Sequence, residues 1–149
     1  MNRIRAAFEG SNKKLLSLYV MAGFPSLDDT AALCRAAVEA GADMLEIGIP
    51  FSDPIADGET IQRASERALK NGFSIERLFA QIKDLRKSVS VPLILMGYLN
   101  PVLQYGVEKF CKDAQACGID GLILPDLPVE DFRDGYRDLF KAHGLSPVF

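Results

Sequence analysis

Four times along the chain, a short run of apolar, strand-favouring residues gives way to a longer stretch whose apolar positions recur at helical spacing. That alternation restricts the chain to an α/β architecture with a parallel sheet. The first run, 15–22 (LLSLYVMA), is closed by Gly23 and Pro25. Ser26 is read as the cap of a helix over 27–40, with Leu33, Ala36, Ala37 and Ala40 on one face and Gly41 ending it. The second strand is 44–49; a polar loop and a helix over 58–70 follow, and Asn71-Gly72 breaks it. Ser74 starts another helix, carrying Ile75, Leu78, Phe79, Ile82 and Leu85 at helical spacing. The third strand is 91–98, and 107–117 is a helix ended by Gly118. The fourth strand is 119–124 with its helix over 130–142, and Pro147-Val148-Phe149 opens a fifth strand.

The strands are continuous apolar runs, as expected of a parallel sheet covered on its outer face. Repeated βα units leave an open doubly wound sheet or a (β/α)8 TIM barrel. The Gly-x-Gly-x-x-Gly fingerprint of dinucleotide folds is absent after the first strand, where Ala22-Gly23-Phe24-Pro25 stands. The barrel is therefore preferred. A full barrel takes about 250 residues, so the 149 residues here are read as a single domain, 1–149, holding four βα units and the start of a fifth strand.

Composition excludes several functions. A net charge of −3 leaves no basic stripe for a phosphate backbone, so nucleic acid is not an expected partner. No apolar run approaches the roughly 20 residues of a membrane span. Arg3 and Arg5 are followed by Glu9 and polar residues where a signal peptide is apolar. A cytoplasmic location is the expectation. Cys34, Cys111 and Cys117 match no zinc or redox spacing and are read as buried hydrophobes. His143, the single histidine, precedes Gly144 at a helix end, where it is expected to meet the last carbonyls. Neither a histidine metal site nor a Ser-His-Asp triad can be built from it, and no metal is expected.

The chemistry concentrates at the second strand. Side chains alternate along a strand, so if Leu45, Ile47 and Ile49 pack on helices, Glu46 points into the barrel. A carboxylate there is costly unless it is paired or used. The structural alternative is a basic partner within the sheet, but no Lys or Arg occurs in the four complete strands. The loop Phe51-Ser-Asp-Pro-Ile-Ala-Asp-Gly58 opens at the C-terminal end of that strand, the face on which barrel active sites are built. Asp57 is either the cap of the following helix or a site carboxylate. Asp53 is either a turn former before Pro54 or functional. Glu46 and Asp57 together suggest an acid–base pair in one cleft, one moving a proton and the other balancing charge. Pro125-Asp126-Leu-Pro128 forms a second acidic loop, either a stiffened turn or functional. Tyr19, Met96 and Tyr98, late in their strands, are candidates to line a pocket for a flat ring, although core packing is the commoner fate of such side chains. Ile123 joins them as a substrate-binding candidate.

Residues 46–58, Glu-Ile-Gly-Ile-Pro-Phe-Ser-Asp-Pro-Ile-Ala-Asp-Gly, resemble the signature of the tryptophan synthase α subunit. The likeness extends through Tyr19 to Pro25, Gly97-Tyr98-Leu99-Asn100-Pro101, Gly118-Ile-Asp-Gly121 and Pro125-Asp126-Leu-Pro128, and it matches the first half of the family's domain. The resemblance implies a TIM barrel with an extra N-terminal helix, for which Ile4 and Phe8 supply an apolar start. It implies retro-aldol cleavage of indole-3-glycerol phosphate to indole and glyceraldehyde 3-phosphate in tryptophan biosynthesis. In that reaction Glu46 would be the general acid–base at indole C3, and Asp57 would hold the indole N–H. It also implies no cofactor on this chain, pyridoxal phosphate belonging to a partner β subunit in an αββα heterotetramer. Pro50, Asp53 and Asn100 match positions toward that subunit, and the loop bearing Asp53 and Asp57 matches one that moves on substrate binding.

Two departures accompany the likeness. Glu59 stands where the family usually has proline, either repelling Asp57 or facing solvent. The family's phosphate site and mobile sixth loop match nothing before residue 149, so little turnover is expected of these residues alone, since phosphate binding supplies positioning energy. The alternative function is a catalytically incompetent chain that retains only the surface for the β subunit. A different barrel enzyme, such as an isomerase of the same pathway, does not fit the 46–58 signature.

Overall fold

The computed structural model describes residues 3–9 and 14–149. Strands β1 (Ser17–Met21), β2 (Met44–Gly48), β3 (Leu93–Met96), β4 (Gly121–Ile123) and β5 (Ser146–Val148) pair in parallel, in chain order. A doubly wound sheet reverses its strand order part-way across and carries helices on both faces. Here the order never reverses, which settles the choice for a barrel-type sheet.

Alternation sorts the strand residues into two faces. Leu45, Ile47, Leu93, Leu95 and Leu122 are buried with Leu78, Ile82, Val102, Phe110 and Ala114 from the covering helices, and this is the hydrophobic core. Opposite them, register places Tyr19, Glu46, Ile94, Gly121 and Ser146 in one row across the sheet. Met21, Gly48, Met96, Ile123 and Val148 form the row above, nearer the C-terminal ends. Glu46 therefore lies on the face away from the helices, as strand parity requires.

The helices are α1 (Arg3–Glu9), α2 (Thr30–Glu39), α3 (Glu59–Lys70), α4 (Ile75–Ile82), α5 (Leu99–Tyr105), α6 (Val107–Ala116), α7 (Val129–Asp131) and α8 (Arg137–Ala142). A π-helical turn, Phe132–Tyr136, joins the last two, so the expected helix after β4 is continuous but unevenly wound. Ser74 accepts a hydrogen bond from the Arg77 N–H, the expected cap of α4.

Four expectations are corrected. Ser26 does not cap α2: its N–H donates to the Asp29 carboxylate (3.2 Å) in a turn, and the helix begins at Thr30. Helix α5 forms where no element is expected; Pro101, as its third residue, has no intrahelical N–H bond to lose. In α1, Ile4 and Ala7 are half-buried while Phe8 is 64% exposed, so the inward pair is i, i+3. The His143 ring meets the Gln115 side chain (2.7 Å), whereas Gly144 (φ +68) ends α8 in the left-handed conformation.

Candidate active site

The loop between β2 and α3 is tied down at both ends. At its start, the Phe51 N–H donates to Ser65 Oγ (2.8 Å), and that hydroxyl lies 2.8 Å from the Phe51 carbonyl. Ser65 is a buried polar residue on α3, so its one hydroxyl satisfies both main-chain groups of Phe51. Within the loop, the Ile55 N–H donates to the Asp53 carbonyl (2.9 Å) and the Asp57 N–H to the Pro54 carbonyl (3.1 Å). At its end, the cap position of α3 is Gly58. Asp57 is thus not the helix cap, and its carboxylate is turned to other use.

That carboxylate accepts a hydrogen bond from the Tyr98 hydroxyl (3.1 Å), which itself accepts from the Ala56 N–H (3.0 Å). The Phe51 and Tyr98 rings lie 5.1 Å apart. Asp57, Tyr98, Tyr19, Met96, Phe51 and Pro125 are among the residues lining a cavity of about 180 Å³ at the C-terminal ends of the strands. The polar groups at its wall are few, and apolar surface dominates, as in sites for flat organic ligands.

Tyr19 lines the same cavity from β1. A Cβ on Gly48 would sit 1.9 Å from the Tyr19 hydroxyl oxygen, so the ring rests directly on the β2 backbone. Burial raises its phenol well above the ordinary value, and Asp57, Glu46 and Tyr98 push in the same direction. The phenol therefore senses both carboxylates. Glu46 is half-buried beneath it, its carboxylate accepting from the Ser17 hydroxyl (2.7 Å), and it is not part of the cavity wall. Ile123 occupies the same row as Met96 but also stays outside the lining. The structure brings Asp57, Tyr19, Met96 and Tyr98 around one cavity, with Glu46 on the same face a step lower.

The other candidates divide. Pro50 and Asn100 line one groove of about 390 Å³ together with Phe73, Glu76 and Tyr105. Asp53 is exposed on the loop and lines neither space. Glu59 faces solvent, paired with Arg63 one turn along α3. The Asp126 carboxylate accepts from the Leu99 N–H (2.9 and 3.1 Å), capping α5 from the neighbouring loop.

A family model described as tryptophan synthase alpha chain matches residues 6–149. The chain belongs to that family. It is 53% identical over 149 residues to the alpha chain of Flavobacterium psychrophilum, covering all of this chain and 58% of the relative. It is 52% identical over 148 residues to that of Phocaeicola vulgatus, covering 57% of the relative. The solved tryptophan synthase subunit alpha of Legionella pneumophila superposes with a TM-score of 0.93 at 45% identity, over 99% of this chain and 57% of that one. An aminoacrylate-bound tryptophan synthase from M. tuberculosis gives 0.92 at 34% identity, over 100% and 61%. The chain thus spans a little under three-fifths of the length of these curated relatives. The five-stranded sheet is the N-terminal part of the family's TIM barrel.

Reasoning from sequence left out Ser65, Ser17 and the partner of Asp126, all of which shape this site. Ser65 was detectable as a small polar residue on the inward face of an amphipathic helix. Asp126 was noticed, but its partner was hidden because α5 was not foreseen. Ser17 carried no signal, since a serine at a strand start is ordinary. Among the described residues, no helix is long and apolar enough to cross a membrane.

Proposed function

We propose that this chain serves the tryptophan synthase α reaction, a lyase cleavage of indole-3-glycerol phosphate to indole and glyceraldehyde 3-phosphate. The observation that carries the reading is the Asp57 carboxylate held by Tyr98 at the wall of an apolar cavity, at the strand ends where barrel enzymes work. In this reading the cavity takes the indole ring and Asp57 accepts its N–H. Glu46 leaves Ser17, turns toward the ring and delivers a proton to C3. The ring becomes an iminium-like cation facing the Asp57 charge. The Glu46 carboxylate left by that donation takes the proton of the side-chain hydroxyl next to C3. An aldehyde carbonyl forms, and the electrons of the breaking carbon–carbon bond return to the ring, so Glu46 ends in the acid form in which it began. Tyr19, Met96 and Tyr98, which line the cavity, hold the substrate, and Ile123, outside the lining, backs Met96 from the same row. Every step uses protons and charge alone, so the proposal includes no cofactor on this chain.

The proposed partner is a tryptophan synthase β subunit in an αββα heterotetramer, in the cytoplasm. Pro50 and Asn100, which share one groove, support a docking surface there, as does Ile55, 83% exposed at the loop tip beside Asp53.

Indole carries no phosphate, so its binding reads the ring site alone, and its fluorescence is readable because the chain has no tryptophan. The wild-type chain is expected to bind indole, and failure to do so at millimolar concentration rejects the proposal. In a full-length α chain carrying these 149 residues, turnover of indole-3-glycerol phosphate, assayed with β subunit added, is expected to fall about 100-fold or more in Glu46→Gln. Wild-type rates in that variant would remove Glu46 from the mechanism.

A further inference from the structure

We infer that Tyr98 is the positioning residue of Asp57, holding one carboxylate oxygen so that the other is presented to the ligand. The inference rests on the reading of Asp57 as acceptor of the indole N–H. The Tyr98 hydroxyl donates to Asp57 Oδ2 (3.1 Å) and accepts from the Ala56 N–H (3.0 Å), so a single phenol fixes both the main chain and the side chain at the end of the loop. Among the described residues, no hydrogen bond engages Oδ1. Tyr98 is itself packed in place: it is buried, its ring packs on Phe51, and it follows β3 as the residue before α5. The order of rigidity therefore runs from strand to phenol to carboxylate, the arrangement that holds a reacting group in place before the ligand arrives.

The alternative is that Tyr98 only fills space in the cavity wall. Its phenyl ring already does that, and Tyr98→Phe keeps the ring while removing the hydroxyl. The two roles are separated by a double-mutant cycle on indole affinity. If Tyr98 acts through Asp57, Tyr98→Phe weakens indole binding about tenfold, as for a lost hydrogen bond to a charged group. Asp57→Asn weakens it too, and the double variant is no weaker than Asp57→Asn alone. Additive losses, or undiminished affinity in Tyr98→Phe, overturn the inference.

A second measurement keeps the test independent of the functional reading. Hydrogen exchange at the Ala56 amide is expected to accelerate about tenfold in Tyr98→Phe, with circular dichroism unchanged. If wild type binds no indole, the functional reading falls, and the exchange result alone decides the clamp. Unchanged Ala56 protection overturns it.

Discussion

Gly48 shows how one missing side chain organises the candidate site. Its backbone torsions are those of an ordinary strand, so glycine is needed for space: any Cβ would meet the Tyr19 ring, 1.9 Å from its oxygen and 2.4 Å from Cζ. Without that contact Tyr19 could not lie in the row of Glu46 while reaching the cavity beside Asp57. Gly48→Ala is therefore expected to displace the Tyr19 ring outward, at a stability cost of about 1–3 kcal/mol for overpacking. The displacement is legible in an alkaline titration followed by tyrosinate absorbance. In the wild type Tyr19 is held above the ordinary phenol value by burial first and by nearby carboxylates second. In Gly48→Ala its ionisation moves back toward that value. An unchanged titration curve would show that the ring does not rest on Gly48.

At the scale of elements, what was legible in the sequence follows what was periodic. The strands, the apolar face of α4 and the glycine stops were all readable, because burial imposes a repeat of two or about 3.6. Helix α5 was not readable: it is seven residues long, contains Pro101 and takes its cap from Asp126, 27 positions away from Leu99. The site followed the same rule. Strand parity put Glu46 on the inner face, yet its bond to Ser17 and the Asp57–Tyr98 bond depend on side chains 29 and 41 positions apart. The cysteines follow the periodic rule too, and their burial has a measurable consequence. Cys34 lies on the buried side of α2, while Cys111 and Cys117 lie in and just after α6. Burial pushes each thiol up to about 11, from an ordinary value of 9.0. Between those values the unfolded chain releases protons that the folded chain retains, so stability falls as pH rises from about 9 to 11. Each thiol contributes on the order of 2–3 kcal/mol to that fall. Denaturation by urea at pH 8 and pH 10.5 measures it, and replacing all three cysteines by alanine is expected to flatten the pH slope. A slope unchanged by the replacement would assign the alkaline loss elsewhere.

On the scale of the whole molecule, the two ends of the sheet are built for different purposes. The C-terminal end carries the cavity, while the N-terminal end is tied together by charge. Asp120, just before β4, is buried; its carboxylate accepts from Arg3 (3.0 Å), from the Leu93 N–H (3.0 Å) and from Arg86. Its main chain bonds to Leu93 and Ser146, so this one residue links α1, β3, β4 and β5. Arg86 also donates to the carbonyls of Gly118, Val89 and Val91. Burial and the neighbouring Arg3 lower the Arg86 guanidinium from its ordinary value, and Asp120 opposes both. Asp120→Ala would remove the opposing charge and leave a half-buried guanidinium unpaired, at an expected cost of about 3–5 kcal/mol. Arg3→Ala is expected to cost no more than about 1 kcal/mol, because its side chain is half exposed and the pair is screened there. Urea unfolding of both variants measures the difference. Because Asp120 stands at the end of the strands opposite Asp57, the Asp120→Ala molecules that remain folded at low temperature are expected to bind indole as the wild type does. Equal and small losses in the two variants would place the anchor of this end in the Ile4–Gly121 packing instead. A loss of indole affinity at full folding would show that the two ends are coupled through the strands.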